Sequence, residues 1–246
     1  MAWAVGDGDG NDGVDGNDGL MDMMESRGAI KLKATTRTGL VGIYLAAGSS
    51  KRMGMAKLSL ELAGGVRLGG VALLQALRSD LDYIVIVTND GNALDWLPEE
   101  ARKHIQSGRC RVEICREAEH GMAYSLHTGI RSAEALGAGG ALVMLADQPF
   151  VTASMLTGLM DSFQDGMDCD YVASGDEGMP KPPVILGRGM WAEALALKGD
   201  AGARSLFRVS KFRGRVIPGR EGLPFMDVDT PEEFEQAILL YKHKNM

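Results

Sequence analysis

An α/β fold, with a mainly parallel sheet and helices on both faces, is what this sequence predicts, and three observations predict it. Short runs rich in Val, Ile or Leu recur at 40–45, 83–88, 111–115 and 141–146, the pattern of strands buried in a sheet. Around them, 71–78, 125–136, 153–163, 190–197 and 231–241 place apolar side chains at three- and four-residue intervals, as helices packed on one side must. Strand and helix also alternate along the chain, which implies parallel pairing and puts ligands at the carboxyl ends of the strands.

The first candidate strand, 40–45, is preceded by a segment of different character. Residues 6–19 are nearly all Gly, Asp and Asn, and 31–38 are rich in Lys, Thr and Arg. Such a stretch buries too little to fold, so 1–38 is read as a solvated tail and 39–246 as one domain of roughly 200 residues. The repeated Asn-Asp-Gly of the tail lacks the spacing of a calcium loop, with glycine sixth and glutamate twelfth. The last candidate helix has its own punctuation: Thr230 as N-cap, Pro231 in the first turn, and Glu232 and Glu233 beside the positive end of the helix dipole.

Composition excludes several classes. The 246 residues are 45% hydrophobic and 24% charged, near the globular average, with a net charge of −7. An acidic chain without clustered Lys and Arg is not built to bind nucleic acid. Its apolar runs are too short to span a bilayer, and its start lacks a basic, apolar leader, so a cytoplasmic protein is expected with no membrane partner. Cys110, Cys115 and Cys169 form no CxxC pair, which predicts neither a disulfide framework nor a zinc site. His104, His120, His127 and His243 show no ligand spacing and are read as ordinary surface or helix residues. Met53, Met55 and Met122 are read as gap-filling core.

The richest chemistry follows the first strand. Leu45-Ala46-Ala47-Gly48-Ser49-Ser50-Lys51-Arg52-Met53-Gly54-Met55-Ala56-Lys57 combines small residues, hydroxyls and three cations. Small residues let backbone N–H groups approach a polyanion, and Arg52 and Lys57 offset the charge that builds up in phosphoryl chemistry. The segment is neither a Walker loop nor a GxGxxG fingerprint. Asp147, ending the fourth strand, and Asp229, before the last helix, are two carboxylates that a sheet's carboxyl edge can bring to one hard cation. A buried acid directly after an apolar strand also requires a partner.

That turn resembles the L-A-[AG]-G-x-S-x-R-M/F-G-x-x-K signature of the molybdenum cofactor nucleotidyltransferases, a branch of the Rossmann-like nucleotide-diphosphosugar transferase fold. The likeness continues in order through Gly121-Met122-Ala123-Tyr124-Ser125-Leu126, Leu145-Ala146-Asp147-Gln148-Pro149, Gly199-Asp200-Ala201-Gly202-Ala203-Arg204 and Asp227-Val228-Asp229-Thr230-Pro231-Glu232-Glu233. The resemblance implies that Asp147 and Asp229 ligate Mg2+, with Asp227 assisting, and that Arg52, Lys57 and Asp147 are the catalytic residues. It also implies that Leu45, Ala46, Ala47, Gly48, Ser49, Ser50, Arg52, Lys57, Gly121 and Ser125 bind the nucleotide, although Ser125 also suits a plain helix N-cap.

In the resembled family Ala at the third position of the turn goes with CTP and Gly with GTP, so Ala47 favours CTP. The implied acceptor is molybdenum-loaded molybdopterin, and the product a cytosine dinucleotide cofactor received by a xanthine-dehydrogenase-type apoenzyme. Two departures stand out. Arg67-Leu68-Gly69-Gly70-Val71-Ala72-Leu73 replaces the usual G-x-P-L-L segment and looks more like the accessory proteins of bacterial xanthine dehydrogenase. Lys181-Pro182-Pro183-Val184 replaces G-x-P-V and adds a cation able to meet an acceptor phosphate. Three other classes are weaker: a GTP-using or other small-molecule nucleotidyltransferase, an NAD(P)-dependent oxidoreductase, which would need GxGxxG and an acid earlier than Asp90, and a non-catalytic cofactor carrier, which would not need both Asp147 and Asp229.

Overall fold

The computed structural model describes residues 39–48, 53–165, 169–218 and 223–244; the expected tail lies outside them. Four predicted strands form where the apolar runs stand: β1 (Leu40–Leu45), β4 (Tyr83–Asn89), β5 (Cys110–Cys115) and β6 (Gly140–Leu145). β1 lies between β4 and β6, parallel to both, and five of its six residues are buried. An interior strand covered on both faces has no solvent side to make polar, which is why its sequence does not alternate.

Five further strands complete the architecture. β2 (Glu61–Ala63) and β3 (Val66–Arg67) form a separate hairpin, while β7 (Tyr171–Asp176), β8 (Met179–Gly187) and β9 (Gly214–Pro218) extend the main sheet to the order β5-β4-β1-β6-β8-β7-β9. Only β8 runs against its neighbours β6 and β7, so the sheet is mainly parallel, as expected. β8 was obscured by Pro180, Pro182 and Pro183, which lack the N–H a strand donates. The register shifts between Ala173 and Ser174 opposite them, and Ser174 Oγ donates to the Pro183 carbonyl at 2.9 Å. The Pro182–Pro183 peptide is cis.

Helices cover both faces. On one, α1 (Leu68–Arg78), α2 (Glu99–Gln106) and α4 (Ala153–Asp165) bury Leu73, Ala76, Ala101, Leu156 and Leu159 against Ile84, Ile86 and Met144. On the other, α3 (Met122–Ala135) and α5 (Trp191–Leu195) bury Leu126, Ile130, Trp191 and Ala194 against Ile43, Val85 and Val143. α6 (Pro231–Lys244) closes a smaller cluster with Leu62, Val71, Phe150 and Val228. α2 escaped the periodicity argument because Ala101 is its one buried residue, so it has almost no apolar stripe to read.

Two helices start a turn earlier than periodicity predicts. α1 begins at Leu68 because Gly69 and Gly70 are helical; a Cβ at Gly69 would come within 2.8 Å of the Trp96 ring and 2.9 Å of Leu58 Cβ. The departure from the family's G-x-P-L-L segment is therefore a packing solution in which the backbone itself meets the indole. The Tyr44 hydroxyl, fully buried, donates to the Gly69 carbonyl at 2.8 Å.

Cys110 and Cys115 are buried, Cys169 is half-buried, and none forms a disulfide. Burial pushes the Cys110 thiol up to about 12. The unfolded thiol ionises near its ordinary value while the native one stays protonated, so the native state holds the extra proton and stability falls as pH rises from about 9 toward 12. Thermal melts across that range should lose a component in Cys110→Ala that the wild type shows, and native protein at pH 8 should leave Cys110 unlabelled by iodoacetamide.

Candidate active site

The small-residue turn expected to bind phosphate leaves β1 at the sheet's carboxyl edge. Ala46 and Ala47 are buried and Gly48 is exposed, with open space where a Cβ would stand. The Ala46 N–H donates to the Val87 carbonyl at 2.8 Å, which clamps the turn to β4. Ser49, Ser50, Lys51 and Arg52 lie outside the described residues, so the expectations placed on Ser49, Ser50 and Arg52 rest on sequence. The chain resumes at Met53 and enters a short 3-10 turn at Lys57.

Lys57, Asp147 and Asp229 meet. The Lys57 ammonium donates to Asp147 Oδ2 at 2.7 Å, to Asp229 Oδ1 at 2.8 Å and to the Val228 carbonyl at 3.0 Å. Burial alone would depress the Lys57 pKa; the two carboxylates outweigh it and hold the ammonium above its ordinary range. Charges so far from bulk water persist only when paired and hydrogen-bonded, and this lysine's side chain is 8% exposed.

Backbone contacts fix the two acids relative to each other. The Val228 N–H donates to the Asp147 carbonyl at 3.0 Å, and Gln148 Nε2 donates to Asp227 Oδ1 at 2.9 Å. Asp227 thus supports the acidic edge from beside it; burial foremost, then the Asp147 charge, raises its pKa. Thr230 and Glu233 form a capping box: Glu233 N–H donates to Thr230 Oγ1 at 3.3 Å, and Glu233 Oε2 accepts from Thr230 N–H at 2.9 Å. The same Glu233 oxygen accepts the Asp229 N–H at 2.8 Å. Sequence analysis gave Glu233 a role in the helix dipole alone; here it also holds the backbone of Asp229.

The arrangement suits a hard cation. Asp147 Oδ1 and Gln148 Oε1 are buried acceptors with no hydrogen-bond partner among the described residues, a costly condition that an ion or a bound water relieves. The donors are oxygens, the chemistry of Mg2+ or Mn2+. No group of three or more His, Cys, Asp or Glu among the described residues is placed to hold an ion alone, so a metal held here would need further oxygens from substrate or water.

A cavity of about 450 Å3 adjoins the turn, lined by Gly48, Gly54, Met55, Ala56, Asn89 and Asn92 among others. Asn89 Nδ2 also reaches the Ala47 carbonyl at 3.4 Å. The 89–93 turn was not predicted as part of the site. Its signal was Asn89-Asp90-Gly91-Asn92, a polar turn at a strand's carboxyl end. A larger cavity of about 620 Å3, walled by Phe150, Met155, Leu159, Ile217 and Pro224, shares no lining residue with the phosphate turn or the carboxylates.

Gly121 and Ser125 are positioned by a different contact. The Ala123 N–H donates to the Gly199 carbonyl at 3.0 Å, joining the turn at 121–126 to the loop at 199–204. Ser125 is buried inside α3, whose N-cap is Gly121, so the N-cap reading of Ser125 is set aside. One other expectation needs correction. Met55 and Met122 are 58% and 43% exposed, not core, while Met53 is buried. His127 is a helix residue, as expected, and is buried in α3, where burial lowers its pKa. Lys181 is paired with Asp176 and sits 5.7 Å from the Phe225 ring centroid.

A parallel-type sheet with a small-residue turn after β1, a buried lysine and two acids at its carboxyl edge defines a nucleotidyltransferase of the nucleotide-diphosphosugar transferase fold. The model of the MobA-like NTP transferase domain matches residues 42–216, and the chain belongs to that family. The purine catabolism protein PucB of Bacillus subtilis (strain 168) is 33% identical over 200 residues, 80% of this chain and 95% of PucB. Two solved structures share the fold: a nucleotidyl transferase from Methanothermobacter thermautotroptrophicus (TM-score 0.66, 18% identity, 84% of this chain and 99% of that one), and a manganese complex of Rv0371C from Mycobacterium tuberculosis H37Rv (TM-score 0.63, 20% identity, 82% and 99%). No helix among the described residues is long and apolar enough to cross a membrane.

Proposed function

We propose that the protein transfers CMP from CTP to the terminal phosphate of molybdenum-loaded molybdopterin, releasing pyrophosphate, and that the product serves a xanthine-dehydrogenase-type enzyme. The observation that carries the nucleotidyl-transfer reading is the convergence of Asp147 and Asp229 on the Lys57 ammonium at the carboxyl edge of the sheet. Asp147 and Asp229 would hold a Mg2+ ion, which when bound offsets charge on the phosphate oxygens. Lys57 and Arg52 bind the triphosphate, and the backbone at Ala46 to Gly48, with Ser49, Ser50, Gly121 and Ser125, holds the nucleoside and its phosphates.

The acceptor phosphate is already ionised near neutral pH. One of its oxygens attacks the α-phosphorus, the bond from that phosphorus to the β-bridging oxygen breaks, and pyrophosphate leaves with the electron pair. No protein nucleophile or general base is required, so catalysis is positioning and charge stabilisation. The buried methyl of Ala47 favours CTP, since a Cβ there limits how closely a base packs on the turn. The purine catabolism relative supports the xanthine-dehydrogenase side of the reading.

The test is pyrophosphate release by purified protein with Mg2+ and molybdenum-loaded molybdopterin. Release with CTP well above that with GTP, abolished in Asp147→Ala, is expected. Preference for GTP would overturn the role given to Ala47, and turnover with neither nucleotide would overturn the acceptor.

A further inference from the structure

Lys57 stands where an ion shared by Asp147 and Asp229 would be held. An ammonium has three N–H donors, and two carboxylate oxygens and the Val228 carbonyl accept from this one at 2.7, 2.8 and 3.0 Å. A divalent ion taking the same carboxylate oxygens would lie next to a buried positive charge, and like charges repel strongly where water is excluded. Lys57 also directly follows Ala56, which lines the cavity beside the phosphate turn. Its four-carbon stem is flexible, so the ammonium is tethered within reach of the phosphate side as well as the carboxylates.

We infer that Lys57 is an internal counter-cation that keeps divalent metal out of the Asp147–Asp229 pair until a nucleotide's phosphates draw its ammonium away, so that metal and nucleotide bind as a coupled pair. The identity of the polyanion rests on the nucleotidyltransferase reading; the exclusion of metal by the ammonium does not. In the nucleotide-free protein Lys57 neutralises the acids, and in the complex the ion takes the carboxylates while Lys57 moves to phosphate. Each cation leaves one anion only as it gains another, so neither state leaves a buried charge unpaired. The buried Asp147 Oδ1, without a partner among the described residues, then serves the ion alongside the oxygen that Lys57 releases.

Mn2+ binding to the full chain, read from the paramagnetic resonance signal of the free ion, tests this without turnover. Wild type is expected to bind Mn2+ at least tenfold more tightly with α,β-methylene CTP than without it. Lys57→Met should bind Mn2+ at least tenfold more tightly than wild type with no nucleotide present, and Asp147→Asn in that background should abolish the gain. Lys57→Arg keeps the charge and should stay weak; circular dichroism checks each fold, with Lys57→Gln as the substitute if the methionine variant is unfolded. Equal nucleotide-free affinity of wild type and Lys57→Met, or tight nucleotide-free binding by Lys57→Arg, would overturn the inference. If the CTP analogue does not bind at all, the choice of CTP fails, while the comparison of wild type with Lys57→Met still decides the exclusion.

Discussion

Asp147→Asn lowers pyrophosphate release by about 10³-fold yet leaves the melting temperature close to that of wild type. Activity falls because the substitution removes one of the two charges that would hold a divalent ion, at the atom nearest the end of β6. Stability behaves differently because asparagine keeps the shape and can still accept from Lys57, which retains Asp229 and the Val228 carbonyl. The native Asp147 also carries a buried oxygen without a partner among the described residues. Removing the negative charge there relieves a desolvation cost, so the site trades stability for function. Parallel melts and pyrophosphate assays separate the two effects. A fall in rate of less than tenfold in a folded variant would sink the role given to Asp147.

The same carboxylates show why this site was legible before any coordinates. An acid at the sheet's carboxyl edge leaves a mark in sequence because it stands at the end of an apolar strand, as Asp147 does after Ala146, or at a helix start, as Asp229 does before Pro231. Motif order then joined residues that lie far apart in the chain. The half of the sheet built by β1, β4, β5 and β6 was equally readable, since burial on both faces leaves little polar residue to confuse it. The other half was not. β8 carries three prolines that leave only Val184, Ile185 and Leu186 as an apolar run, and β9 is an edge strand with no buried residue, so neither reads as a full-length interior strand. Tertiary contacts that sequence does not display decided the rest. The glycines at 69 and 70 make room for Trp96 and Pro98, and Glu233 links helix capping to the backbone of Asp229.

Gly121→Ala is expected to be the most damaging single-methyl change near the site. Gly121 has φ +123° and ψ 171°, a region open essentially to glycine alone, where another residue costs roughly 1–3 kcal/mol. Its added Cβ would also stand 2.2 Å from the Gly199 carbonyl carbon and 2.3 Å from its oxygen. Those are backbone atoms and cannot swing aside as a side chain would, so overpacking adds roughly 1–3 kcal/mol more. Together the two terms lower the melting temperature by about 10 °C in a domain of this size. The contact at fault joins the 121–126 turn to the 199–204 loop, so relief comes by moving one away from the other, and the KM for the nucleotide should rise along with the loss of stability. Gly137→Ala supplies the control. Gly137 also has positive φ, at +74°, but nothing lies within 4 Å of a Cβ built there, so it pays the backbone term alone, about 1 kcal/mol. Melts of both variants against wild type decide the matter. If Gly121→Ala costs no more than Gly137→Ala, the junction between the two loops yields freely and does not position the turn.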